Sequence, residues 1–175
     1  MFHSFFQFVG IEDNNNIKTI DDFLSRYGGM TFLNGLYRIH KFDEIAKWTK
    51  IVQDAFPKYK GKILAFGFDW LGRNFALDKE RNVVLICEPG TGEILNTQAN
   101  FTDFHNVEIP EYHDACLASE FFSEWYEENG HNTLPYDKCV GYKVPLFLNG
   151  NDELNNLEVS DMEVYWEIMT PLINL

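Results

Sequence analysis

The stretch KILAFGFDWLGRNFALDKERNVVLICEPGTGEI, residues 62–94, constrains the fold of this chain more than any other part. It holds three short, almost wholly apolar runs at 63–68, 74–77 and 83–87. Runs this short, rich in Val, Ile and Phe and bounded by turn residues, read as strands rather than helices. The separators at 69–73, 78–82 and 89–92 are four or five residues long. Such lengths close hairpins and are too short for the helical crossover that a parallel pair needs. The stretch predicts an antiparallel meander, and strands apolar on both faces predict that it is the buried centre of a sheet.

Helical signals flank the meander. Thr19 followed by Asp22 is a capping pair, Phe23, Leu24 and Tyr27 form an apolar side, and Gly28-Gly29 ends a helix over 20–27. Over 43–56, Ile45, Trp48, Val52, Ala55 and Phe56 share about a third of the helical wheel, and Pro57 stops the helix. A longer helix is expected over 114–128, with Ala118, Phe121, Phe122 and Trp125 inward and Gly130 after its end. Ser160-Asp161-Met162-Glu163 reads as a capping box opening a last helix that ends at Pro171 and turns Met162, Tyr165, Trp166 and Met169 to one face. Residues 32–39 read as a strand interrupted at Asn34-Gly35, and 140–144 as a further strand. Residues 12–16 and 149–152 are turns or loops, 100–105 is turn-like with at most one helical turn, and 3–9 is either helix or strand.

With 175 residues, 45% hydrophobic and 23% charged, the chain is long and apolar enough for one well-packed domain. The net charge of −13 is unevenly placed. Residues 1–90 carry 12 Lys/Arg and 11 Asp/Glu, whereas residues 91–175 carry two Lys (Lys138, Lys143) and 16 Asp/Glu. Such a second half repels nucleic acid and anionic membranes and attracts basic partners. Cys87, Cys116 and Cys139 are odd in number and far apart, which fits a reducing cytoplasm rather than a disulfide framework or a zinc cluster. The start MFHSFFQFVG lacks the basic region of a signal peptide, and no apolar run is long enough to span a bilayer.

Catalytic signals are weak. Gly90-Thr91-Gly92 lacks the following glycine, lysine or helix start of a phosphate-binding loop, so a hairpin turn is the better reading. Asp103, His105, Glu108, Glu111, His113 and Asp114 are metal-capable types close in sequence, the basis of an alternative reading as a small hydrolase or metal-dependent enzyme; a scaffold or regulatory module is the other alternative. None of their spacings is that of a helical zinc site. Asp69 and Arg73 flank a tight turn, where a salt bridge or backbone bonding by the aspartate is expected, with Trp70 buried among Phe66, Phe68 and Phe75.

Five further stretches carry a resemblance: GGMTFLNGLYRIH at 28–40, FGFDWLGRNFALD at 66–78, EPGTGE at 88–93, CVGYKVPLFL at 139–148 and DMEVYW at 161–166. Together they resemble the SUKH superfamily of bacterial immunity proteins, above all the C-terminal domain of those that neutralise DNase effectors of type VI secretion. Asn149-Gly150 departs from the Gly-Gly of that pattern. The resemblance implies a single α+β domain over 1–175, an antiparallel sheet with helices packed on it. It also implies function by binding a cognate toxin, without catalysis, metal or cofactor.

A nuclease surface is basic because its substrate is acidic, so a carboxylate-rich face can occupy it in place of nucleic acid. The candidate contacts are Glu120, Glu124, Glu127 and Glu128, with Asp152, Glu153 and Glu158 as a second set. The first three fall within about 60° of one another on a helical wheel, clear of the apolar arc.

Overall fold

In the computed structural model, residues 1–12 and 17–175 are described; of the loop expected at 12–16, all but Glu12 lies outside them. Six strands form one antiparallel sheet: β1 (Thr31–Phe32), β2 (Tyr37–Ile39), β3 (Ile63–Asp69), β4 (Asn74–Asp78), β5 (Val83–Glu88) and β6 (Glu93–Asn96). Their order is sequential, a complete meander with β3, β4 and β5 in the middle. Strand β6 continues past the Pro89–Gly92 turn, with Glu93 and Glu88 paired across it. It is an edge strand whose residues are mostly exposed, so it carries little of the apolar pattern that marks its neighbours. A separate two-stranded ribbon pairs β7 (Lys138–Tyr142) with β8 (Leu157–Asp161).

The helices, in chain order, are α1 (His3–Val9), α2 (Ile20–Tyr27), α3 (Ile45–Ala55), α4 (Phe101–Asp103), α5 (Ile109–Glu111), α6 (His113–Leu117), α7 (Ser119–Glu128) and α8 (Met162–Ile173). A π-helical turn, Phe104–Glu108, joins α4 to α5. The segment after the meander is thus helical far beyond the single turn expected of it. The capping box of α2 forms as expected: Thr19 accepts from the Asp22 amide, and Asp22 from the Thr19 amide, each at 3.0 Å.

The sheet is covered on both faces, which is why its strands show no polar side. On one face α3 and α8 bury Trp48, Val52, Ala55, Met162, Trp166 and Met169 against Ile63, Ala65, Phe68, Ala76, Leu85 and Cys87. On the other, α1, α2 and the 101–117 segment pack Phe2, Phe5, Phe23 and Phe101 against Phe66, Phe75, Val84 and Ile86. Alternation holds along β4 and β5. In β3 a bulge between Ala65 and Gly67 shifts the register, so Ala65 and Phe68, of opposite parity, reach the same face. Gly67 permits this: a Cβ there would stand 2.7 Å from the Arg38 carbonyl oxygen of β2.

Three expectations need correction. The helix expected over 114–128 is two helices, broken at Ala118, whose φ of 50° is left-handed. The last helix is capped by Asp161, whose side chain accepts from the Glu163 and Val164 amides, while Ser160 belongs to β8. It also runs through Pro171 to Ile173. Proline there lacks the N–H that would bond the Glu167 carbonyl, and its ring crowds that carbonyl; only Leu172 and Ile173 of the helix follow it.

Candidate partner-binding surface

The acidic half of the chain is fastened to the meander by the turn after β3. Asp69 accepts from the Arg73 amide at 3.0 Å and from Arg73 Nε at 2.6 Å, so both roles expected for this aspartate are filled. Gly72, with φ 77°, closes the turn. Arg73 reaches on: Nη1 donates to Glu88 at 2.8 Å and Nη2 to the Cys116 carbonyl at 3.1 Å. Trp70 Nε1 donates to the Leu117 carbonyl at 3.0 Å, and Trp166 Nε1 to the Gly72 carbonyl at 2.8 Å. Buried Arg38 adds bonds to the Pro135 and Lys138 carbonyls, with its guanidinium 4.4 Å over the Phe68 ring. Burial pushes Asp69 up to about 6, against the pull of Arg73, and raises Cys139 to about 12.

Trp70 is fully buried, as expected, but in different company. Its neighbours are Phe121 and Phe122 at 5.4 Å and Trp125 at 6.0 Å, all on α7, whereas Phe68 lies on the opposite face of the sheet. The Trp70 indole thus packs α7 onto the end of the sheet.

The break at Ala118 follows from these contacts. The last two carbonyls of α6 are taken by Arg73 and Trp70, and the Ala118 amide closes back on Asp114 at 2.8 Å. Helix α7 then starts afresh, its Glu120 amide donating to the Asp114 carboxylate at 2.9 Å. His113 Nδ1 and Ser119 Oγ lie 2.6 Å apart and pin the two helices across the break.

The Asp103–Asp114 cluster is therefore dispersed into structural roles. Asp103 accepts from the Asn100 side chain at 2.7 Å. His105 is fully buried; its Nδ1 lies 2.7 Å from the Phe101 carbonyl, which only accepts, so Nδ1 holds the proton and Nε2 accepts from Tyr37 at 2.9 Å. Glu111 stays exposed. Among the described residues no group of three His, Cys, Asp or Glu side chains comes together as a metal site. Gly90-Thr91-Gly92 is the β5–β6 hairpin turn, with Thr91 Oγ1 donating to Glu88 at 3.1 Å.

Both sets of candidate carboxylates are exposed. Glu120, Glu124, Glu127 and Glu128 form the outer edge of α7, and among the described residues none of them has an ion-pair partner. On one side of this edge a groove of about 420 Å³ separates α7 from the β1–β2 turn. On the other side a cleft of about 150 Å³ is lined by Phe121, Arg73, Glu88, Tyr142 and Asp152. Asp152 accepts from the Tyr142 hydroxyl at 2.6 Å at that cleft, so one carboxylate of the second set faces Phe121 of α7 there. Glu153 is tied to Asn151 and Asn155, and Glu158 stands on β8. Neither the groove nor the cleft was foreseen, since each is made by segments distant in sequence.

Comparison with known proteins places the fold first, and then relates part of the chain to a family. The crystal structure of Atu4351 from Agrobacterium tumefaciens superposes with a TM-score of 0.65, covering 97% of this chain and 88% of that one at 14% identity. The shared architecture is the α+β antiparallel sheet with packed helices that the sequence resemblance implied. Residues 106–172 match the family of the type VI secretion (T6SS) immunity protein Tdi1, C-terminal domain. The resemblance to type VI immunity proteins is thereby borne out over a stretch that includes α6, α7, β7, β8 and most of α8, with two of the five quoted motifs inside it. No curated protein matches the chain. Among the described residues no helix is long and apolar enough to cross a membrane.

Proposed function

We propose that this protein is a cytoplasmic immunity protein that binds and neutralises a cognate toxin, a nucleic-acid-degrading effector of type VI secretion. The observation that carries the reading is the family match over 106–172, since α7 and its exposed carboxylates lie inside it. A nuclease carries a basic substrate surface, and the α7 edge offers four carboxylates that, among the described residues, have no ion-pair partner. Docking there places negative charge where phosphate would bind, so the toxin is blocked by occupancy. Asp152, Glu153 and Glu158 extend the acidic surface at the neighbouring cleft and ribbon. The mechanism needs no catalytic group, metal or cofactor, and four side chains of the enzyme alternative, Asp103, His105, His113 and Asp114, are engaged in structural hydrogen bonds.

The test is co-purification with the toxin encoded beside this chain's gene, together with rescue of cells expressing that toxin. A stable complex and restored growth are expected. A toxin that stays lethal and unbound overturns the reading.

A further inference from the structure

The 420 Å³ groove beside α7 has a chemistry of its own. Its floor is Leu33, Leu36 and Phe122, and its rim on the helix side is Glu120 and Glu127. These two glutamates are seven residues apart, about 10 Å along the axis and on nearly the same bearing. Tyr126 supplies an aromatic wall: its ring stacks on Phe122 at 5.5 Å and stands perpendicular to the His131 ring at 5.1 Å. Among the described residues no Lys or Arg lines the groove. Its volume is within the range of sites that hold compact ligands, about 300–1,000 Å³.

We infer that this groove is an arginine-binding site, taking one arginine side chain of the protein partner as the anchor of the complex. The inference rests on the binding role proposed above and names the group recognised. Each part of an arginine has a counterpart in the groove. The methylene stem lies on the apolar floor, the planar guanidinium stacks on Tyr126, and its N–H fork meets a carboxylate at the rim. A lysine ammonium has the charge but neither the plane nor the fork. A neutral side chain would leave both carboxylates uncompensated. The outer edge of α7 attracts a basic surface without choosing among basic residues; the groove supplies the choice.

The probe is N-acetyl-arginine amide, titrated into ¹⁵N-labelled protein and followed by amide shifts, with the lysine and citrulline analogues alongside. Shifts confined to residues 33–36, 113 and 119–131, strongest for arginine and absent for citrulline, are expected. The double substitution Glu120→Gln/Glu127→Gln should weaken arginine binding by about tenfold or more, the loss of at least one charge-assisted hydrogen bond. Ser123→Trp fills the groove without changing its charge and should abolish the shifts. The spectra themselves report whether each variant is folded, and the surface glutamine pair keeps the test open if the tryptophan is not tolerated. Equal shifts with citrulline, or shifts scattered over every acidic residue, overturn the site. A toxin complex whose dissociation is unchanged by Ser123→Trp also overturns it while leaving the proposed function intact. Arginine bound in the groove with no toxin complex does the reverse.

Discussion

The indole N–H of Trp70, on the turn after β3, donates to the carbonyl oxygen of Leu117 across 3.0 Å. Forty-seven residues separate the two in sequence. The bond occupies the last carbonyl of α6 at the point where the chain turns left-handed at Ala118 and α7 begins. A core residue of the meander thereby fixes the direction of the helix that carries the acidic surface.

Trp70→Ala should cost about 3–5 kcal/mol, the usual range for removing a fully buried aromatic side chain. Trp70→Phe keeps most of the ring and leaves the Leu117 carbonyl without its donor, for about 1–3 kcal/mol. Urea unfolding measures both. An unchanged midpoint for the alanine variant would place the indole outside the core.

Arg73→Met leaves the Asp69 and Glu88 carboxylates without their shared cation, and Asp69 is fully buried. Breaking one partner of a buried pair typically costs about 3–5 kcal/mol. Asp69→Asn/Arg73→Met should cost clearly less than the sum of the single changes, because the fully buried carboxylate is removed together with its cation and only the partly exposed Glu88 loses a partner. Strict additivity in a double-mutant cycle would show that the two side chains do not act as a pair.

Acid should destabilise the protein through its interior histidines. Burial lowers both His40 and His105 to about 3, below an unfolded value near 6.5. His40 packs against both Trp48 and Phe68, at 4.9 and 4.6 Å, and His105 lies among phenylalanines. Between those pH values the unfolded chain binds protons that the folded one does not, so stability falls as pH falls from 6.5 toward 3. Each histidine contributes a loss of about 2 kcal/mol by pH 5. Asp69, raised to about 6, works in the opposite sense, one group against two. Urea midpoints at pH 7 and pH 5 check the sign, and equal or greater stability at pH 5 contradicts it.

Much of this fold was legible because local and long-range signals agree. The meander strands are apolar on both faces and sit between two helical layers, and the Thr19–Asp22 box caps its helix as local chemistry dictates. The break at Ala118 was not legible. Alanine is a strong helix former, and only Arg73 and Trp70, far away in sequence, end α6 there. Asp161 rather than Ser160 caps α8 because β8 runs through Ser160 to pair with Cys139. Exposure of the α7 glutamates followed from the wheel. Their groove did not, since Leu33 and Leu36 line its floor from more than 80 residues away.

The central claim is that the α7 carboxylates draw in a basic toxin. Glu120→Lys/Glu124→Lys/Glu127→Lys should fold normally, since all three side chains are exposed. The deciding measurement is the association rate of wild type and triple variant with the toxin, at low salt and again near 1 M. Exposed charges act mainly on encounter and are screened within about 3 Å at 1 M salt. Wild type should therefore associate about tenfold or more faster at low salt, with the advantage largely gone at high salt. Equal rates at low salt would contradict the account and move the interface away from α7.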